Sequence, residues 1–135
     1  MREQPDLRHP ALVACGRHPI MAVYDGSATS KHALAYAAGL ARRSDRWLVI
    51  LRIWRIGGGQ AGRIRRLRTE LAESDLGGLD IEIISRLGDP VRELITATAE
   101  RRADAIVLGA SRRLSRALLT ARLMREAACP TVIVP

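Results

Sequence analysis

Short apolar runs alternate with segments of helical period four times along this chain, and a fifth apolar run follows. No other feature narrows the fold as much. Strand–helix–strand units in series make right-handed crossovers and a parallel sheet with helices on both faces. The runs are Ile20–Tyr24, Trp47–Trp54, Leu79–Ser85, Asp104–Gly109 and Thr131–Val134. The first, second and fourth are nearly unbroken in apolar character, which suits strands buried on both faces. The third opens as Leu79-Asp80-Ile81-Glu82-Ile83, and its alternation predicts an edge strand.

The intervening segments carry their own start and stop signals. Ser27 or Thr29 can cap a first helix whose apolar stripe is Ala33, Leu34, Ala37, Ala38, Leu40 and Ala41, closed by Arg42-Arg43-Ser44. Residues 62–76 place Ile64, Leu67 and Leu71 at helical spacing, and Gly77-Gly78 stops them. Asp89 caps a third helix with Pro90 at its first position, and Val91, Leu94, Ile95 and Ala99 are expected to face inward. Leu114 to Ala128 is helical in pattern, and Pro130 ends it.

A chain of 135 residues holds one such domain, here assigned to 19–135, with 1–18 read as an N-terminal tail containing Pro5 and Pro10. The chain has no Phe, so Ile, Leu, Val and Ala must fill the interior, and small side chains let helices sit close on a sheet. No apolar run approaches the ~20 residues of a membrane span. Leu12 to Cys15 is too short for a signal segment, which needs about 7–15 apolar residues. Cys15 and Cys129 form no CxxC pair, so reduced thiols in a cytoplasmic protein are expected.

His9, His18 and His32 have no metal-ligand spacing, and neither a nucleophile–base arrangement nor a general base for ATP hydrolysis can be assembled. The expectation is a protein that is not an enzyme and holds no metal. The net charge of +8 comes from 22 basic residues, of which Lys31 alone is a lysine. A solvated Arg-rich surface explains it. An electrostatic nucleic-acid partner would use Arg63, Arg65, Arg66, Arg68 and the arginines from Arg112 to Arg125. The aromatic interleaving that stacks bases is absent, which argues against specific nucleic-acid binding.

In parallel sheets ligands bind beyond the carboxyl ends of strands, where the winding reverses. That rule points to the loops after Tyr24 and Leu108. After the first, Asp25-Gly26-Ser27 offers a carboxylate for a ribose or base amino group, a tight turn and a helix N-terminus; it serves equally well as a plain turn cap. After the second, Gly109-Ala110-Ser111-Arg112-Arg113 can hold phosphate or simply begin a helix with solvated arginines. Gly57-Gly58-Gly59-Gln60-Ala61-Gly62-Arg63-Ile64 has the glycine spacing of a phosphate-binding loop, but Arg63 and Ile64 stand where Lys and Ser/Thr are required. It reads as a connection bordering the cleft.

Taken together, these segments resemble the universal stress protein family. Ala22-Val23-Tyr24-Asp25-Gly26-Ser27 with Ala33-Leu34, Gly88-Asp89-Pro90, Asp104 to Gly109, Leu114-Ser115-Arg116 and Cys129 to Val134 carry the resemblance, in order, across about residues 19–135. It implies a Rossmann-like, flavodoxin-like three-layer α/β sandwich with a five-stranded parallel sheet of order 3-2-1-4-5. It also implies a homodimer paired through the last strand, Thr131 to Val134, and a stress-response role with an unidentified protein partner.

Members that bind ATP carry the aspartate matched by Asp25 and a glycine motif after strand four. Here only Gly109 matches that motif; Arg112 stands at the second glycine, and Thr120-Ala121 where Gly-Ser or Gly-Thr would be. Two readings stay open. One is a sensor of adenine nucleotide, with ATP held by Asp25, Gly26, Ser27, Gly109, Ser111, Arg112 and Thr120. The other is a nucleotide-free dimeric interaction module.

Overall fold

The computed structural model describes residues 17–55, 59–110, 122–123 and 125–135. Five strands, β1 (Ile20–Val23), β2 (Leu48–Trp54), β3 (Ile81–Leu87), β4 (Ala105–Gly109) and β5 (Thr131–Val134), form one parallel sheet of order β3-β2-β1-β4-β5. The helices between them are α1 (Ala28–Ser44), α2 (Gln60–Leu71) and α3 (Pro90–Arg101). Residues 122–123 and 125–126 are also helical, within the expected Leu114–Ala128 segment whose other residues, apart from 127 and 128, lie outside the described set.

Strand order dictates which face each helix covers. From β1 to β2 to β3 the chain steps in one direction, so right-handed crossovers put α1 and α2 on the same face. It then crosses back to the far side of β1 for β4, and α3 lands on the opposite face. Two cores result. Ile20, Ala22, Tyr24, Leu48, Ile50, Ile83 and Val107 pack under α1 and α2, while Met21, Val23, Val49, Leu51, Ile84, Ile106 and Leu108 pack under α3 and Leu123. The period-2 alternation of β1 and β2 thus feeds two cores instead of one core and solvent.

Local signals explain the boundaries. Ser27 caps α1 by accepting from the Ser30 amide, and Asp45 ends it in the left-handed region. Asp89 caps α3 through the Arg92 amide, with Pro90 in the first turn. Leu40 and Ile95 are only partly buried, each packed against its core.

Some expectations are corrected. Ala99 is exposed, and Ala97 and Thr98 turn inward instead. At about 100° per residue, Ala99 lies about 140° around the helix from Leu94, off the buried stripe. Helix α2 begins at Gln60 and stops at Leu71, five residues short of 76. Beyond Leu71, Ala72-Glu73-Ser74-Asp75 has no large apolar side chain to bury, and the Ser74 amide closes a tighter turn onto the Leu71 carbonyl at 3.0 Å. Strand β3 starts at Ile81 and runs to Leu87, because its ladder follows β2 out to Trp54.

As expected, β3 is an edge strand, yet on its face toward α3 Glu82 and Arg86 flank Ile84 and are charged and buried. Glu82 is fully buried and receives Arg101 Nε and Nη2, each at 2.7 Å; Arg86, also buried, pairs with Glu93 and Glu100. A buried ion pair adds little against an apolar replacement, but breaking one strands a charge at about 3–5 kcal/mol. Glu82→Ala is therefore expected to lower unfolding stability by about 3 kcal/mol in a urea titration. The double change Glu82→Leu, Arg101→Met should recover most of that loss; a double variant as unstable as the single one would contradict this account.

Candidate functional site

Strand β1 ends at Val23, and the chain leaves it through Tyr24-Asp25-Gly26-Ser27. Gly26 sits at φ +85°, a conformation that favours glycine, and this lets the backbone swing from the sheet into α1. Asp25 Oδ1 accepts from the Ser27 amide at 2.8 Å, Ser27 Oγ accepts from the Ser30 amide at 3.2 Å, and Ser30 Oγ donates to the Ser27 carbonyl at 2.9 Å. The Asp25 amide reaches Ser30 Oγ at 3.3 Å. The turn thus binds amides of the α1 start with its own side chains, the local competition Asp and Ser provide.

Beside this turn, a cavity of about 450 Å3 opens at the carboxyl ends of β1 and β2. Tyr24, Asp25, Gly26 and Arg52 come from the strand ends, Lys31 from the first turns of α1, and Arg66, Thr69, Glu70 from α2, with Glu73 just past it. The winding rule indicates the crevice between β1 and β4; the cavity among the described residues is offset by one strand toward β2.

Arg52 is the centre of the cavity's electrostatics. It ends the apolar stretch Leu48–Leu51, and its side chain is only 8% exposed. Its Nη1 donates to Glu70 Oε1 at 2.9 Å, and its guanidinium lies 4.1 Å from the centre of the Trp54 ring and 6.0 Å from that of Tyr24. A desolvated cation over an indole gains about 1–2 kcal/mol, which helps offset its lost hydration. Arg66 donates to the other oxygen, Glu70 Oε2, at 3.3 Å and lies 5.7 Å from the Trp54 ring. Trp54 is pinned in turn by its Nε1 donating to Ser85 Oγ at 3.0 Å. Burial, with the Glu70 carboxylate nearby, pushes the Tyr24 phenol above its ordinary 10.0, so it stays protonated at neutral pH.

Of the residues expected to form the site, Asp25 and Gly26 line the cavity, while Ser27 and Gly109 stand outside its lining. Ser111, Arg112 and Thr120 lie outside the described residues. Gly57 and Gly58 of the glycine-rich stretch do as well; Gly59 is the N-cap of α2, and Gly62 lies within that helix. Gly109 has a packing role: a Cβ there would fall 2.6 Å from the carbonyl carbon and oxygen of Thr29 and 2.8 Å from the Ser30 nitrogen. The start of α1 rests directly on the end of β4.

Sequence reasoning assigned no ligand role to Tyr24, Lys31, Arg52, Thr69, Glu70 or Glu73, and it placed Arg66 on a basic surface. Arg52 had a readable signal: one charge inside an otherwise apolar, central-strand run is unusual enough to mark a paired or functional group. Among the described residues no cluster of His, Cys, Asp and Glu suits a metal, and no helix is long and apolar enough to cross a membrane.

A second cavity of about 190 Å3 lies at the opposite, amino end of the sheet. Its arginines have internal partners: Arg17 with Asp45 at 2.7 Å, Arg46 with Asp104 at 2.6 Å, and Arg42 with the carbonyls of Asp75 and Gly77. They tie chain segments together.

A model of the universal stress protein family matches residues 16–135. No curated protein sequence matches the chain. Among solved structures, a universal stress protein in complex with cAMP is 27% identical, with a TM-score of 0.67 over 87% of this chain and 96% of that one. A protein of the same family from Burkholderia pseudomallei is also 27% identical, at a TM-score of 0.64 and the same coverage. An Arabidopsis thaliana family protein with AMP bound is 19% identical, covers 87% of this chain and 90% of its own, and at a TM-score of 0.62 shares the fold.

The Gly109 contact gives a direct test. Overpacking there must push α1 away from β4, at about 1–3 kcal/mol. Gly109→Ala is expected to lose about that much stability by urea unfolding before any ligand is added; a fully stable variant would show that the contact relaxes freely.

Proposed function

The chain belongs to the universal stress protein family, and we propose that it is a homodimeric stress-response accessory protein that binds an adenine nucleotide in the cavity over β1 and β2. The carrying observation is that cavity: about 450 Å3, within the range of small-molecule sites, with the Asp25 carboxylate on one side and Lys31, Arg52 and Arg66 around it. A carboxylate suits ribose hydroxyls or a base amino group, and the cations suit phosphate. The relative crystallised with cAMP supports the same ligand class. In this reading Ser27 and Gly109 form the far rim, and Ser111, Arg112 and Thr120 are proposed as ligands from the sequence pattern alone. The protein works as a binding module, with nucleotide biasing loop order next to a partner surface.

Calorimetry and thermal unfolding with ATP, AMP and cAMP test this. Ligand at a hundredfold excess over Kd stabilises the native state by about 2.7 kcal/mol. Asp25→Asn keeps an oxygen for the Ser27 amide yet removes the charge, and it is expected to weaken binding about tenfold, the effect of one charge-assisted hydrogen bond. No heat and no shift at millimolar nucleotide would refute the sensor. The nucleotide-free interaction module would then stand, favoured by Asp25 already holding the Ser27 amide.

The dimer is proposed to form where β5 of one protomer meets β5 of another across a two-fold axis. An open edge strand invites such pairing, and Ile133 is 43% exposed on it. Sedimentation should give a dimer for the native chain and a monomer for Ile133→Lys; an unchanged mass in the variant would remove β5 from the interface.

A further inference from the structure

Two guanidinium groups in the cavity converge on one carboxylate. Arg52 holds Glu70 Oε1 and Arg66 holds Glu70 Oε2, and both cations rest against the Trp54 ring. Glu70 Oε1 lies 3.2 Å from where a Cβ on Gly26 would stand, so this carboxylate sits over the turn that forms the cavity floor. Each guanidinium carries five donors in a rigid fork, matched to the oxygens of carboxylate and phosphate alike. Among the described residues Arg52 uses one of those donors, and Lys31 borders the same cavity. Arg52 is nearly buried and must keep an anion beside it, whereas Glu70 is 26% exposed near the end of α2 and can swing to water.

We propose that Arg52 and Arg66 form an oxyanion receptor for a phosphate group, and that Glu70 fills it in the free protein as a tethered stand-in that an incoming phosphate displaces. This rests on the reading of the cavity as a ligand site and adds where the phosphate goes: to the β2 side, away from the loop after β4, where the second glycine is Arg112. Removing the competing charge must then strengthen binding of phosphate-bearing ligands and leave uncharged ones alone.

The experiment titrates AMP, adenosine and inorganic phosphate into the native protein, Glu70→Gln and Arg66→Gln by calorimetry, with circular dichroism to confirm folding. Glu70→Gln is expected to bind AMP and phosphate about tenfold more tightly, and adenosine unchanged, the effect of one displaced charge-assisted hydrogen bond. Arg66→Gln, at a side chain 69% exposed and so safe for folding, should weaken AMP and phosphate several-fold. AMP affinity unchanged in Arg66→Gln, or unchanged or weaker in folded Glu70→Gln, overturns the proposal. If AMP and adenosine bind equally to every form, the nucleotide reading survives and the receptor falls. If AMP and inorganic phosphate respond alike to both variants and adenosine does not bind, the receptor stands and the nucleotide reading falls.

Discussion

Every residue of β1 is buried, and its backbone is hydrogen-bonded to β2 on one side and β4 on the other. A strand in that position has no face for water, so the sheet must be covered on both sides and the helices must divide between them. The direction of the crossovers decides the division: α1 and α2 over one face, α3 over the other. What β1 leaves open is its carboxyl end. Tyr24 to Ser27 leave the sheet there, and the cavity lined by Asp25, Arg52 and Arg66 lies beside that exit.

The elements on either side of the exit, α1 against β4 and α2 over β2, shape what lies beside it. Because Gly109 has no Cβ, the start of α1 settles directly onto the end of β4. On the other side α2 contributes long polar side chains, Arg66 and Glu70, and these leave a cavity over β2. A glycine that looks like part of a phosphate loop in the sequence is here also a packing device. The two roles are compatible, since a chain that approaches a helix N-terminus closely brings that terminus near any ligand.

Buried charge recurs on the β2–β3 side of the sheet, and two of its pairs differ in their consequences. Glu82 and Arg101 are both nearly out of water, face each other with two short hydrogen bonds, and join β3 to α3. Arg52 is as buried, but its partner Glu70 is not, and its other support is the face of Trp54. Of these two, the Arg52 pair can change partners at low cost, because its carboxylate already borders water.

Much of the fold was legible in the amino-acid sequence. Five runs marked five strands, the alternation in Ile81-Glu82-Ile83 marked the edge, and Ser27, Asp89 and Pro90 marked helix starts, because short-range sterics and capping act between near neighbours. Asp25 and Gly26 were legible for the same reason. Ala99, the end of α2, and the joining of Arg52, Glu70, Arg66 and Trp54 were not. Those depend on which helix face meets the sheet and on side chains eighteen residues apart meeting across two elements, as Arg52 and Glu70 do. Local pattern determined the strands, the caps and the turn after β1. The tertiary structure alone decided that Arg52, Arg66 and Glu70 meet beside Asp25 and Gly26, because that follows from which charges α2 brings over the strand ends.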